Sequence, residues 1–220
     1  MKFYKGAIMH VVFLYNLLIR TTTNNMCDWI ECIVSAWTGH RPFAEWLVKE
    51  CGVSTVVELG VDRGYSTFCF ANAGAKVYGI DLWEPNPLYK YDNYKPLLEK
   101  TVNQRGLQDR VELIQGEFGH VSATWSHGMV DLLHIDGTHE YDHVKTDFNN
   151  WEKYVHHEGI ILMHDICVAG FTVKPFFNEI TQYCKGWFEH SAGLGVVCKN
   201  PQTLEKIAKA FPNFHIGNVD

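Results

Sequence analysis

Residues 55–81 read TVVELGVDRGYSTFCFANAGAKVYGID. The opening run, Thr55–Leu59, is short, rich in β-branched residues, and stops at Gly60. Ser66–Ala73 then carries a helical pattern and stops at Gly74, the residue type that most easily takes the left-handed conformation closing a helix. Lys76–Ile80 is a second β-rich run, and it stops at Asp81. Strand, helix and strand in one short stretch make the repeating unit of a parallel sheet.

The alternation continues downstream. Val111–Gln115 stops at Gly116, Val130–Ile135 at Asp136, and Ile160–Met163 at His164-Asp165. Between them, Tyr141–Val155 sets Tyr141, Val144, Phe148, Trp151 and Val155 on one helical stripe. Val173, Phe176, Phe177, Ile180 and Cys184 repeat the pattern. Asn200 caps a helix that opens at Pro201 and turns Leu204, Ile207, Ala208 and Phe211 inward. Trp187–Glu189 and Leu194–Cys198 are joined by too few residues for a crossover helix, so they are expected to pair antiparallel at one edge. The fold expected is α/β, a Rossmann-like doubly wound sheet, mostly parallel, with helices on both faces. Ligands of such sheets bind beyond the carboxyl ends of the strands, so the residues that end the runs are the candidate site.

Composition narrows the function classes. The chain has 220 residues, 46% hydrophobic and 20% charged, an ordinary globular balance for a single domain over 1–220 with an N-terminal extension at 1–40. A net charge of −6 without a Lys/Arg block argues against binding a nucleic-acid backbone. Seven cysteines, an odd number with no C-x-x-C pair, argue against a disulfide framework or zinc site and for reduced thiols in the cytoplasm. Lys2 and Lys5 precede an apolar run, Ala7–Ile19, which is shorter than the roughly 20 residues that span a bilayer. No small-residue cleavage site follows it, so a helix packed on the domain, without stable membrane insertion, is expected.

The first strand exits through Glu58-Leu-Gly60-Val-Asp62-Arg-Gly64-Tyr65-Ser66. Glycine at such a turn lets the backbone approach a ligand. The dinucleotide pattern G-x-G-x-x-G fails here, because Asp62 and Tyr65 stand where its second and third glycines belong. Asp62 would also repel a pyrophosphate, which disfavours a nicotinamide dehydrogenase. A cofactor without phosphates but with a charged amino-acid end fits better. Asp81, ending the second strand, is placed to accept ribose hydroxyls.

Glu58-Leu-Gly-x-x-x-Gly64-x-Ser66 followed by Gly79-Ile-Asp81 resembles the class I S-adenosylmethionine-dependent methyltransferases. The resemblance covers about residues 40–200, and the Gly193-Leu-Gly195-Val-Val stretch resembles the antiparallel strand insertion of their sheet. It implies a seven-stranded sheet with Gly60 and Gly64, and with them Glu58, Asp62, Tyr65 and Ser66, beside the methionine part of S-adenosylmethionine. It implies ribose at Asp81 and Leu82, and adenine between Trp83 and Glu117.

Asp136-Gly-Thr-His139 and His164-Asp165 end the next two strands. Carboxylates and imidazoles converging from neighbouring strand ends can hold a divalent cation, and a hydroxyl acceptor needs help to lose its proton. Ile135-Asp-Gly-x-His139-x-Tyr141 with His164-Asp165 resembles the small-molecule and sugar O-methyltransferase branch, including metal-dependent macrolide-sugar enzymes. That resemblance implies a Mg²⁺ or Mn²⁺ site at Asp136, His164 and Asp165, with Asp136 also bordering the cofactor and His139 as the base. The sequence departs from those enzymes at His164, where they carry an acid; a nitrogen donor favours Mn²⁺, Zn²⁺ or Fe²⁺.

The remaining histidines read as structural. His134 sits in a buried strand, His156-His157 at a helix end, and His120, His127 and His190 on the surface. The aromatic, proline-rich stretch Trp83–Tyr94, with Tyr89 and Tyr91, is the expected acceptor wall, and Ile166–Phe171 a second. The expected activity is methyl transfer to a hydroxyl of a sugar, glycan or other small molecule, with a homo-oligomer compatible. Two other readings remain: a metal-dependent hydroxylase resembling cephalosporin hydroxylase, and a non-catalytic S-adenosylmethionine-binding subunit.

Overall fold

The computed structural model describes residues 28–84 and 92–219. The expected N-terminal helix, and Tyr89 and Tyr91 of the acceptor stretch, lie outside the described residues. The chain divides into two units after Ile33; the described part of the first holds one 3₁₀ turn, Ile30–Cys32.

The second unit runs α1 (Arg41–Glu50), β1 (Thr55–Leu59), α2 (Tyr65–Ala73), β2 (Lys76–Asp81), α3 (Lys95–Arg105), β3 (Val111–Gln115), α4 (Phe118–Ala123), β4 (Val130–Ile135) and α5 (Tyr141–Trp151). It continues with β5 (Val155–His164), α6 (Val173–Glu179), β6 (Cys184–Phe188), β7 (Leu194–Cys198), α7 (Pro201–Ala210) and β8 (His215–Ile216). The strands form one sheet in the order β3-β2-β1-β4-β5-β7-β6-β8. β3 through β5 are parallel, and β7 enters antiparallel between β5 and β6. β1 pairs with both β2 and β4, so the strand order reverses there and opens the crevice that doubly wound sheets use for ligands.

The β-branched runs become strands because alternate residues serve the two faces of a covered sheet. On one face, Val57, Leu59, Leu133, Ile135, Ile161 and Met163 meet Val144, Phe148 and Trp151 of α5 and Phe177 of α6. Burying a side chain such as Phe148 contributes about 1.5–3 kcal/mol. The Asn200 side chain accepts from the Gln202 N–H at 2.9 Å, with Pro201 opening α7, as the sequence predicts.

Four expectations change. The sheet has eight strands where seven were expected. The stripe from Tyr141 ends at Trp151, because residues 152–154 tighten into a 3₁₀ turn and Val155 pairs with Val130 as the first residue of β5. His156 and His157 therefore lie on a strand, not at a helix end. α6 stops at Glu179 and Cys184 opens β6. The device that closes α6 is Lys185, whose buried ammonium donates to the carbonyls of Phe177, Asn178 and Ile180 at 2.8, 2.8 and 2.6 Å. Its three donors meet three carbonyls at the helix end, one of which, Phe177 O, also accepts the Ile180 N–H at 3.3 Å. Lys185→Met should lower unfolding stability by about 2–3 kcal/mol, in line with hydrogen bonds to a charged group, read as a shift of the urea midpoint at constant m-value. An unchanged midpoint would show that α6 closes without it.

Candidate active site

All five non-glycine residues with positive φ among the described residues gather at one end of the sheet. Asp62 (46°), Trp83 (46°) and Asp165 (62°) follow β1, β2 and β5, and Ser191 (52°) and Ala192 (71°) form the β6–β7 turn. That turn lies at the same end, because Leu194 pairs with His164. Side chains rarely hold this conformation unless surrounding structure enforces it, and such strain gathers at functional sites.

The β1–α2 loop is built against the β4 exit. Gly60 has φ +92°, and a Cβ there would meet the Asp136 carbonyl oxygen at 2.2 Å. Only glycine lets the two loops close on each other, and Asp136 N–H donates to Leu59 O at 2.8 Å across the same gap. Gly64, also left-handed, precedes the first turn of α2.

Asp81 organises this loop. Its Oδ2 accepts from the Val61 and Asp62 amides at 2.9 and 3.2 Å, and its Oδ1 from the Trp83 amide at 2.9 Å. The carboxylate thus joins the ends of β1 and β2 and turns the chain at Trp83. Trp83 is fully buried, and among the described residues its indole Nε1 has no partner. Leu82 is exposed, with its carbonyl accepting from Gln115 Nε2 at 2.8 Å. Glu117 is exposed after β3 and pairs with His120 at 3.1 Å. Tyr65 is buried, its hydroxyl donating to Thr38 O at 3.3 Å. Burial, partly offset by Arg63, raises the Asp62 carboxyl above its ordinary value.

Glu58 and Ser66 are occupied with each other. Glu58 is fully buried and accepts short hydrogen bonds from the Ser66 and Thr67 hydroxyls. Its Oε1 also faces His134 Nδ1 at 3.0 Å. The other His134 nitrogen takes the Trp37 Nε1–H at 3.1 Å. An indole nitrogen can only donate, so His134 Nε2 accepts and Nδ1 carries the proton that reaches Glu58. His134 is thus the satisfied core histidine expected from the sequence. Glu58 lies behind the loop as a brace that ties β1 to the start of α2.

The β4 and β5 exits bring the remaining groups together. His139 Nε2 lies 2.7 Å from Asp165 Oδ2 and 4.0 Å from Asp136 Oδ1. His164 Nδ1 lies 3.2 Å from Asp136 Oδ1 and 3.4 Å from Asp165 Oδ1. His164 Nε2 lies 2.9 Å from the Ser191 carbonyl. A carbonyl can only accept, so Nε2 carries a proton, and a second proton on Nδ1 lets the ring donate to Asp136. Burial opposes that charge, but the Asp136 carboxylate beside it pushes His164 up to about 10. Burial likewise opposes the charge on His139, and hydrogen bonds to Asp136 and Asp165 push it up to about 9. Burial would raise Asp136 and Asp165, yet the two imidazoles hold both carboxyls below the usual range.

Asp136, His139 and Asp165 each offer one ligand atom, all within 4.8 Å of one another. Two oxygens bound to one hard cation at 2.0–2.6 Å are separated by roughly that much or less, so the donor set fits a Mg²⁺- or Mn²⁺-type ion. The converging set contains His139 where the sequence suggested His164, because the Ser191 carbonyl and Asp136 occupy the two His164 nitrogens. Sequence reasoning missed Trp37, Thr67, His40 and the Ser191 carbonyl. Buried His40 lies against His164 and His190, with ring centroids 5.8 and 4.5 Å away, and burial among these rings holds it neutral, down to about 2.

A family model described as a methyltransferase domain matches residues 57–166, half of the chain. The chain belongs to this methyltransferase domain family. The matched segment starts in β1 and ends just past Asp165, so the family region contains both loop systems described above. The methyltransferase domain is also 31% identical over 186 residues to the uncharacterized protein y4gI of Sinorhizobium fredii, a match covering 79% of this chain and 20% of that protein. The chain thus spans about a fifth of the length of that curated relative.

Solved structures share the methyltransferase fold. A Staphylococcus aureus protein assigned as a caffeoyl-CoA O-methyltransferase superposes with a TM-score of 0.61 at 16% identity, covering 87% of this chain and 100% of its own. An O-methyltransferase from Bacillus cereus in complex with SAH gives 0.53 at 14% identity, covering 90% and 93%. The SAH-bound methyltransferase PaMTH1 of Podospora anserina gives 0.54 at 15% identity, covering 90% and 97%. Among the described residues no helix is long and apolar enough to cross a membrane.

Proposed function

We propose that this domain is an O-methyltransferase that moves the methyl of S-adenosylmethionine to a hydroxyl of a small molecule or glycan, assisted by a divalent cation. The observation that carries the reading is the meeting of Asp136, His139 and Asp165 beside the Gly60 loop, at the point where the strand order reverses. Relatives of the same fold hold SAH, which supports the donor.

In this reading the Gly60–Gly64 loop and the start of α2 receive the methionine end of the donor. Asp81 keeps the loop closed and faces the ribose. Trp83, Leu82 and Glu117 border the adenine. Asp136 and Asp165 hold the cation, and His139 takes the proton of the acceptor hydroxyl. His164 stays behind them as a charged hydrogen-bond donor that fixes Asp136. When bound, the cation would counter the carboxylate charge and lower the pKa of the acceptor hydroxyl. The residues supply alignment, and the correct orientation of two reactants is itself worth several kcal/mol.

An open pocket of about 340 Å³ lies at the β6–β8 edge, lined by Glu189, His190, Asn213 and His215, none of which belongs to the Asp136–His139–Asp165 cluster. Trp187 stacks on His215 beside it, with centroids 4.6 Å apart. Aromatic faces with amide and carboxylate groups around them suit a sugar.

The test is a mass-spectrometric screen of hydroxyl acceptors with labelled donor and Mn²⁺. A gain of one CH₂ unit on an oxygen supports the reading, and a gain of one oxygen atom would assign a hydroxylase. S-adenosylhomocysteine at 100 times its Kd should stabilise the protein by about 2.7 kcal/mol. Asp81→Ala should weaken that binding at least about tenfold, since it removes a charged acceptor and unties three amides. Calorimetry that finds no binding to the wild type would remove the reading.

A further inference from the structure

Phe171 lies flat on His139. The ring centroids are 4.1 Å apart and the planes are within 5° of parallel. The two rings come from different loops, His139 after β4 and Phe171 after β5. The loops are stitched together next to the stack. Thr172 N–H donates to the His139 carbonyl at 2.9 Å, and the Thr172 hydroxyl reaches the same oxygen at 3.3 Å. That hydroxyl also accepts from the Tyr141 N–H at 2.7 Å, at the first residue of α5. Thr172 therefore fixes the backbone on both sides of residue 140 and leaves the His139 side-chain torsions as the remaining freedom.

The phenyl ring restricts those torsions. His139 is about a third exposed (31%) and projects from a loop, where an imidazole with one free face samples several rotamers. A face-on aromatic partner favours one ring plane, and here that plane carries Nε2 toward Asp165 at 2.7 Å. Aromatic stacking of this kind is worth about two- to tenfold in population.

We propose that Phe171 is a positioning residue that holds the His139 imidazole in its working orientation between Asp165 and Asp136. The inference rests on the reading of His139 as the acting group of the site. The phenyl ring has no polar atom to offer the reacting groups, and it acts only through the imidazole.

The test uses the full chain labelled with ¹³C at histidine Cε1, free of ligands, as wild type, Phe171→Leu and Phe171→Tyr. The His139 signal is identified by its disappearance in His139→Ala. A ring stacked face to face should shift that signal upfield in the wild type and in Phe171→Tyr, and the shift should vanish in Phe171→Leu. Turnover should follow the same order: kcat falls about fivefold in Phe171→Leu and recovers in Phe171→Tyr, while acceptor KM and S-adenosylhomocysteine affinity hold. A His139 signal identical in wild type and Phe171→Leu overturns the proposal, whatever the activity. A raised acceptor KM at unchanged kcat also overturns it and makes Phe171 part of the acceptor wall. If the signal moves as expected but no acceptor is methylated, the stack that the proposal needs stands and it is the methyltransferase reading that fails.

Discussion

In the His139→Ala variant kcat is expected to fall about 10²- to 10⁴-fold, the usual worth of a positioned base, with S-adenosylhomocysteine affinity and melting temperature close to wild type. The reason lies in the placement of Nε2, 2.7 Å from Asp165 and 4.0 Å from Asp136, at the mouth of the site. Without a cation the two carboxylates push the imidazole up to about 9, against the opposing pull of burial. A protonated imidazole cannot accept a proton, so residual activity in excess chelator should climb as pH rises toward 9. Added Mn²⁺ places positive charge beside the ring, disfavours its protonated form, and should move that limb to lower pH. The alanine variant should show neither limb. Calorimetric titration with Mn²⁺ separates the two roles of the residue: retained affinity supports the base, and lost affinity makes His139 a ligand. Wild-type kcat in the variant would end the assignment.

The largest effect on stability is expected at His164. His164→Leu removes the donor buried against Asp136 and leaves the carboxylate and the Ser191 carbonyl short of a partner. Breaking one side of a buried ion pair typically costs about 3–5 kcal/mol. The loss carries a pH signature. His164 titrates near its ordinary 6.5 when unfolded and is pushed up to about 10 in the native protein by Asp136, against the effect of burial. Its contribution is complete below pH 6.5 and fades as pH rises toward 10, because the native state then binds more protons than the unfolded one. Asp136 is held below the usual carboxylate range, so its share is present at neutral pH and fades in acid. Urea denaturation of the metal-free wild type near pH 6 and pH 9 should therefore show a decline that is smaller in His164→Leu. Equal declines would place the proton elsewhere, with His139 the remaining candidate.

The strand ends were legible because each β-branched run stops at Gly, Asp or His, and β1, β3, β4 and β7 occupy the stretches expected from the sequence. α3 gave no comparable signal: it buries only Leu98 and Val102 and exposes most of its surface, so no stripe marks it. β8 is two residues long and too short to show a period. Within the site, Asp136, His139 and Asp165 could be picked out because their chemistry is in their side chains. The orientation of His164 could not, since it depends on the Ser191 backbone carbonyl, which every residue type possesses. Glu58 looked like part of the loop, but a mid-strand carboxylate facing His134 and two hydroxyls belongs to the layer behind it. That distinction needs the register between β1 and β4, which places Glu58 opposite His134.

The insertion of β7 between β5 and β6 bears on how the chain assembles. Within the parallel part, β1–β2, β2–β3 and β4–β5 pair consecutive strands, while β1–β4 joins residues 76 apart, as Val56 with Leu132. β7 then has to take the place beside β5 while β6, which precedes it in the chain, is left outside. That insertion needs both the β6–β7 hairpin and the edge of β5 before the two can join. The turn that precedes β7 carries the carbonyl that orients His164. The site is thus completed only when this hairpin docks on β5, and a refolding chain should regain turnover no earlier than that docking. The delay between recovered circular dichroism and recovered activity would time the arrival of one hairpin.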